Sequence, residues 1–238
     1  GIVRMGSRLR WLMATSVLMI GTVAALANDV EAFLAGATRS CIGCDLSGRD
    51  LQSRNFGRMR LDQANLTNAN LTAASLFRAS LVRADLSGAR LAGANLNLVD
   101  AKWTKLAGAD LEDALLYEAD FSSADLTGAN LKSAKLGRAR LNGADLTGAK
   151  LPGADLRGAR LAGAKLVGAD LRAAALHGQN LREQDLRGVD FSMSDMLEVD
   201  LRGADLRDAQ LAGVDLFGAN LNSADLRGAN FEGANLTN

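Results

Sequence analysis

One histidine, one tyrosine, one proline and two cysteines occur in 238 residues, and neither charge is in excess, with 27 Lys and Arg against 27 Asp and Glu. Each scarcity excludes something. A lone His177 with two thiols cannot complete a four-ligand site built of cysteine and histidine. The inventory for catalysis is equally thin: besides His177 there is Tyr117, no thiol outside Cys41 and Cys44, and no glycine-rich phosphate loop between a strand and a helix. Balanced charge gives no bulk attraction for nucleic acid. The single Pro152 and the absence of a linker or low-complexity stretch leave no second globular region. No enzyme, no metal, no cofactor and no nucleic-acid partner are therefore expected.

What is present is repetition. The stretch "ADLTGAKLPGADLRGARL", residues 144–161, restates nearly the same five residues. Steps of five from Leu46 run to Leu236 without insertion or deletion, giving thirty-nine pentads whose centre is Leu in thirty-three and Phe in four, with Ala101 and Met196 the exceptions. Two residues before the centre stands Ala in twenty-seven of the thirty-nine, and the residue between is mostly Asp, Asn, Lys or Arg. Small-in, polar-out, large-in is the period-two signature of an extended segment, and the remaining two residues must turn. No apolar run is long enough to bury a face by itself. The chain can instead wind into a solenoid, each coil stacking its Leu and Ala on the next.

Segments such as "ADLSG", "ANLTN" and "ADLRG" resemble the A(D/N)Lxx motif of the pentapeptide-repeat family, and the resemblance covers residues 44–238. It implies an all-β solenoid, a right-handed quadrilateral β-helix with one pentad per side and twenty residues per coil. About ten such coils at roughly 4.7–4.9 Å each would form a rod of roughly 45 Å. One pair of residues agrees with a twenty-residue coil. Ala101 removes volume from a centre column, and twenty residues on the same column holds Phe121.

Residues 1–27 differ in composition. Arg8 and Arg10 precede the apolar run "WLMATSVLMIGTVAAL" and an Ala25-Leu26-Ala27 end, the three parts of a cleavable signal peptide. A membrane anchor would need about 20 apolar residues, so no stable anchor is expected after cleavage, and an amphipathic cap helix lacks a polar face. Loss of Arg4, Arg8 and Arg10 leaves 24 basic against 27 acidic residues. Export to a periplasm or thylakoid lumen follows. Residues 28–43 form the next segment, with Asn28 or Asp29 capping a short helix that carries Val30, Phe33 and Leu34 and closes the base of the rod, and Gly36 ending it. Cys41 and Cys44 fall at a centre and a small position, pointing inward. A disulfide suits an oxidising compartment; two buried free thiols are the alternative.

The pattern breaks at a few places. Gln179, Gln184, Val189, Ser194 and Val199 occupy five consecutive small positions beside Met196, read either as a bulge presenting a site or as a wider coil whose amides bond the backbone. Arg49, Arg54 and Met59 read as fraying of the first coil. The columns of Asp185, Asp205 and Asp225 beside Arg187, Arg207 and Arg227 are surface ladders for solubility and alignment.

Function is sought on the faces. On one side, the residue after each centre reads Phe77, Asn97, Tyr117, Gly137, Arg157, His177, Leu197 and Phe217, with Leu98 and Leu115 on the same side and Trp103 round the corner. Apolar groups there have the composition of a contact patch, although scattered surface apolar groups are also ordinary. The expected function is a non-enzymatic exported interaction module with an unidentified protein partner, and a homodimer through the C-terminal coil. The family resemblance supplies an alternative, a DNA-mimicking modulator of DNA gyrase, against which export and weak net charge both speak.

Overall fold

The structure, a computed structural model, describes residues 29–237; the leader expected over 1–27 lies outside the described residues. From residue 40 onward every pentad folds alike. The pentad Ala144–Gly148 shows how its backbone is satisfied. Ala144 N–H closes a turn onto the Leu141 carbonyl at 3.0 Å. Asp145 N–H reaches back one coil to Ala124 O (2.9 Å), while Leu146 and Gly148 N–H reach forward to Lys165 O (2.8 Å) and Val167 O (3.1 Å). The fifth donor, Thr147 N–H, is taken by the Asp145 carboxylate at 3.0 Å. All five donors are thus paired, as burial of a polar backbone requires.

The turn demands a left-handed residue two places after each centre, and φ there is positive in every pentad from Gly43 to Gly233. Glycine meets this demand without strain. Twenty other residues accept it, among them Leu98, Trp103 and Met193, at a cost of about 1–2 kcal/mol each.

Pairing between coils runs from Ser40 with Arg60 to Asp215 with Asn235, always parallel and always twenty residues apart. Four pentads therefore make one coil. The three-residue extended segments do not become strands: among the described residues each side contributes one isolated bridge at its polar rung, because a turn follows before a second residue can join the ladder. The interior is a stack of centre and small residues, nearly all buried, with Ala101 and Phe121 adjacent in one column.

Residues 29–34 form helix α1. Its Val30 and Phe33 are buried, and the Phe33 ring stacks on Phe56 at 5.5 Å. The arginines of the first coil are not frayed. Arg54 donates to the Leu34 carbonyl at the end of α1 and lies over the Phe56 ring. Arg49 pairs with Glu31 at 3.3 Å, and Met59 packs against the core. Departures from the repeat there fasten the helix to the rod. Cys41 and Cys44 are joined in a disulfide, both buried.

Candidate interaction surfaces

Two places depart from the uniform surface. The first is the corner of two neighbouring coils that carries Leu98, Trp103, Leu115 and Tyr117, where Leu98 N–H bonds the Tyr117 carbonyl at 2.9 Å. Trp103 is 50% exposed and Tyr117 43%. Leu115 replaces the usual Asp at its rung, so Tyr117 N–H lacks the local acceptor its neighbours use. It bonds instead to Asn97 Oδ1 of the preceding coil at 2.8 Å, which keeps the Tyr117 backbone ordered while its ring stays outside. Trp103 sits at φ 55°, where glycine would be unstrained, so packing in the rod gives no reason for the indole.

Arginines cover these rings. Arg83 lies over Trp103 at 5.0 Å and Arg138 over Tyr117 at 5.9 Å, both in cation–π range. Arg138 also donates to the Tyr117 hydroxyl at 3.1 Å and pairs with Glu118 at 3.2 Å. Beside them is a polar hollow of about 400 Å³ lined by Asp100, Lys102, Glu118, Asp120, Arg138 and Arg140. Burial by itself would raise the Asp120 carboxyl, but the Ser122 hydroxyl and N–H, with Arg140 and Lys102, outweigh it and hold the group below the usual carboxylate range. The corner is thus apolar at its centre, and around it Arg83, Lys102, Arg138 and Arg140 are interleaved with Asp100, Glu118 and Asp120.

The rest of the expected column does not join this cluster. Phe77 is half-buried, with Arg78 over its ring at 5.3 Å. His177 is exposed and 3.9 Å from Glu198. Leu197 is half-buried and Phe217 exposed, several coils away beyond Gly137 and Arg157. Sequence reasoning missed Met193, 69% exposed, because its pentad, centred on Phe191, lies on the side before the column whose apolar residues were read.

The second place is at Gln179 and Gln184. Both side chains occupy alanine sites in the interior, and each Nε2 donates to a carbonyl twenty-three residues earlier, Gln179 to Leu156 and Gln184 to Leu161 at 2.9 Å. Thr104 makes the same bond to Leu81 at 2.8 Å, and its ladder stays whole. The longer glutamines wedge the coils apart. Bridges Arg160 to Asn180 and Lys165 to Asp185, due by the repeat, are the two that do not form, while those on either side do. A slot of about 650 Å³ opens between the coils. The amides are bonded to backbone carbonyls, as the wider-coil reading expects, and the ladder between the coils opens.

A family model described as pentapeptide repeats matches the chain in eight copies, over residues 40–76 and, in overlapping segments, 79–238. Among solved structures the chain is similar to HetL, a pentapeptide repeat protein involved in heterocyst differentiation regulation in the cyanobacterium Nostoc, at 31% identity over 86% of this chain and 94% of that one, TM-score 0.53. QnrB1, a plasmid-mediated fluoroquinolone resistance protein, is 23% identical over 82% of this chain and 90% of its own, TM-score 0.44. A pentapeptide repeat protein of the Arabidopsis thaliana thylakoid lumen is 26% identical over 55% and 70%, TM-score 0.25. No curated protein matches the chain.

Proposed function

Because the chain belongs to the pentapeptide-repeat family, we propose that it is an exported rod that binds a protein partner through the corner formed by Leu98, Trp103, Leu115 and Tyr117. It is a structural or interaction module and not an enzyme. The observation that carries the site is a half-exposed Trp103 held at a strained, positive φ under Arg83. A large ring left outside an otherwise polar rod has a use outside the fold, and tryptophan, tyrosine and arginine dominate contact energy at protein interfaces. The partner's matching surface is apolar at its centre and carries charges of both signs at its rim. The outer residues Phe77, His177, Leu197 and Phe217 contribute a lesser, separate contact.

Export is supported by the three-part leader and by the Cys41–Cys44 disulfide, which persists in oxidising compartments. Right-handed winding in about ten coils, α1 as the cap, and the division at 28–43 and 44–238 belong to the same proposal. Exposed Leu226 and Leu236 support a homodimer through the C-terminal coil. The gyrase reading is set aside because the leader and the balanced charge, 27 basic against 27 acidic residues, both speak against it.

Changing Trp103 and Tyr117 together to Ser tests the site. Unfolding stability is expected to stay within roughly 1 kcal/mol, as for surface positions, while capture of the co-purifying partner from a periplasmic or lumenal extract falls at least tenfold. Unfolding of the variant would show that these rings pack the rod and would remove the site.

A further inference from the structure

The slot beside Gln179 and Gln184 has a chemistry the corner lacks. Where the two bridges fail, the N–H groups of Leu161, Gly163 and Leu166 lose the carbonyls of Asn180, Arg182 and Asp185 that the repeat would give them. Each lip keeps its bonds to the coil on its far side: Leu141 N–H still reaches Arg160 O at 2.8 Å, and Leu181 N–H reaches Asp200 O at 2.8 Å. The lips are therefore ordered while their facing edges are free. Each edge alternates donors and acceptors, with Leu161, Gly163 and Leu166 N–H beside the Ala159 and Ala164 carbonyls on one, and the Asn180, Arg182 and Asp185 carbonyls beside the Asn180 and Asp185 N–H on the other, the two sides of a parallel ladder with its middle missing. Gln179 is 4% exposed and Gln184 8%. Their nitrogens are engaged, and neither Oε1 has a hydrogen-bond partner among the described residues. At the mouth stand Arg160 and Arg182, one on each lip, and neither makes an ion pair among the described residues, unlike Arg140 with Asp120 and Arg202 with Asp200.

We propose that this slot binds an extended peptide segment whose backbone pairs with both lips and whose outward side chains are acidic. An extended amide backbone is the ligand that presents alternating donors and acceptors to both edges at once, the principle of strand addition. Alternate side chains of an extended segment share a side, so those facing outward meet Arg160 and Arg182. Those facing inward must be small, because Ala159 and the two glutamine carboxamides line the floor. The volume, about 650 Å³, lies in the range of ligand sites. Acidic and small residues in alternation are the ligand the slot selects.

The test uses residues 28–238 with their disulfide and the probe acetyl-Ala-Asp-Ala-Asp-Ala-amide, read by amide hydrogen exchange. Without peptide, Leu161, Gly163 and Leu166 N–H are expected to exchange at least about 100-fold faster than Leu151 and Leu171 N–H, which are paired across intact ladder. Millimolar probe should slow the three slot amides about tenfold, and the lysine analogue of the probe should not. Gln179→Ala with Gln184→Ala restores the residue typical of that position, so it should close the slot, protect the same amides without peptide and abolish the effect. Protected slot amides in the unaltered protein would show there is no slot. Fast amides that the aspartate probe leaves unchanged, or that both probes slow equally, would show that it does not select such a segment. Either outcome overturns the proposal and leaves the Trp103 corner untouched.

Discussion

Asp125 stands at an outward rung, yet its carboxylate acts locally, accepting the Thr127 N–H at 3.0 Å. The same bond recurs from Asn65 to Thr67 and from Asp195 to Leu197. Side-chain acceptance of a donor two residues on is why Asp and Asn favour turns. The rung preference therefore answers an acceptor's need and does not depend on charge. Asp125→Ala should cost about 0.5–1.5 kcal/mol, the usual net worth of such a bond. Asp125→Asn should cost close to nothing in the same urea titration. Equal losses in both variants would mean that charge is what the rung supplies. At this scale the sequence was legible in part. Inward Leu and Ala follow from alternation alone, but the Asp-to-amide bond does not, because period two says which way a side chain points and nothing about what it accepts.

At the scale of the coil, the Asp and Arg columns are woven more closely than separate ladders. Arg207 holds Asp205 at 2.6 Å within its own turn and approaches Asp225 of the next coil at 3.8 Å, and Arg187 does likewise with Asp185 and Asp205. Hydrogen bonding from the Arg207 guanidinium lowers the Asp205 carboxyl to about 2, against the opposing pull of desolvation. Arg202 does the same for Asp200, also to about 2. A carboxyl depressed in the folded state favours folding above its unfolded pKa of about 3.9, and that contribution is lost as pH falls through the folded value. The urea midpoint should therefore drop between pH 4 and pH 2. Replacing Arg187, Arg207 and Arg227 with Gln should flatten that drop, and an unchanged slope would show that these exposed pairs contribute nothing. The column register was legible, since stepping by twenty places Asp185 under Asp205. Opening of the ladder at Gln184 was not, because a glutamine in an alanine site can be absorbed by a shift of its own side chain or of the coil, and only the packing decides. Likewise Arg54 breaks the repeat visibly, but its partner, the Leu34 carbonyl, belongs to another element.

For the whole molecule, thirty-nine pentads in one phase made the architecture readable from the sequence, and the departures from the motif at Arg49, Arg54 and Thr104 have local partners. The corner at Trp103 and Tyr117 was legible because large apolar residues stand out on a polar rod. Arg83 and Arg138 over the rings were not, since arginine is common at every outward position. Export gives a prediction of its own. Protein recovered from a periplasm or lumen should start at Asn28 and weigh two hydrogens less than its reduced form; an intact leader or free thiols would contradict the oxidising address.

The most direct test of the rod is a distance. Ser47 and Arg227 occupy equivalent outward positions on one side, 180 residues and so nine twenty-residue steps apart. With both changed to Cys and spin-labelled, and Cys41 and Cys44 left in their disulfide, pulsed dipolar spectroscopy should give one narrow distribution centred at about 43 Å, nine coil spacings of about 4.8 Å. A broad distribution, or a mean below about 30 Å, would contradict a continuous four-sided solenoid and with it the faces on which the proposed contacts depend.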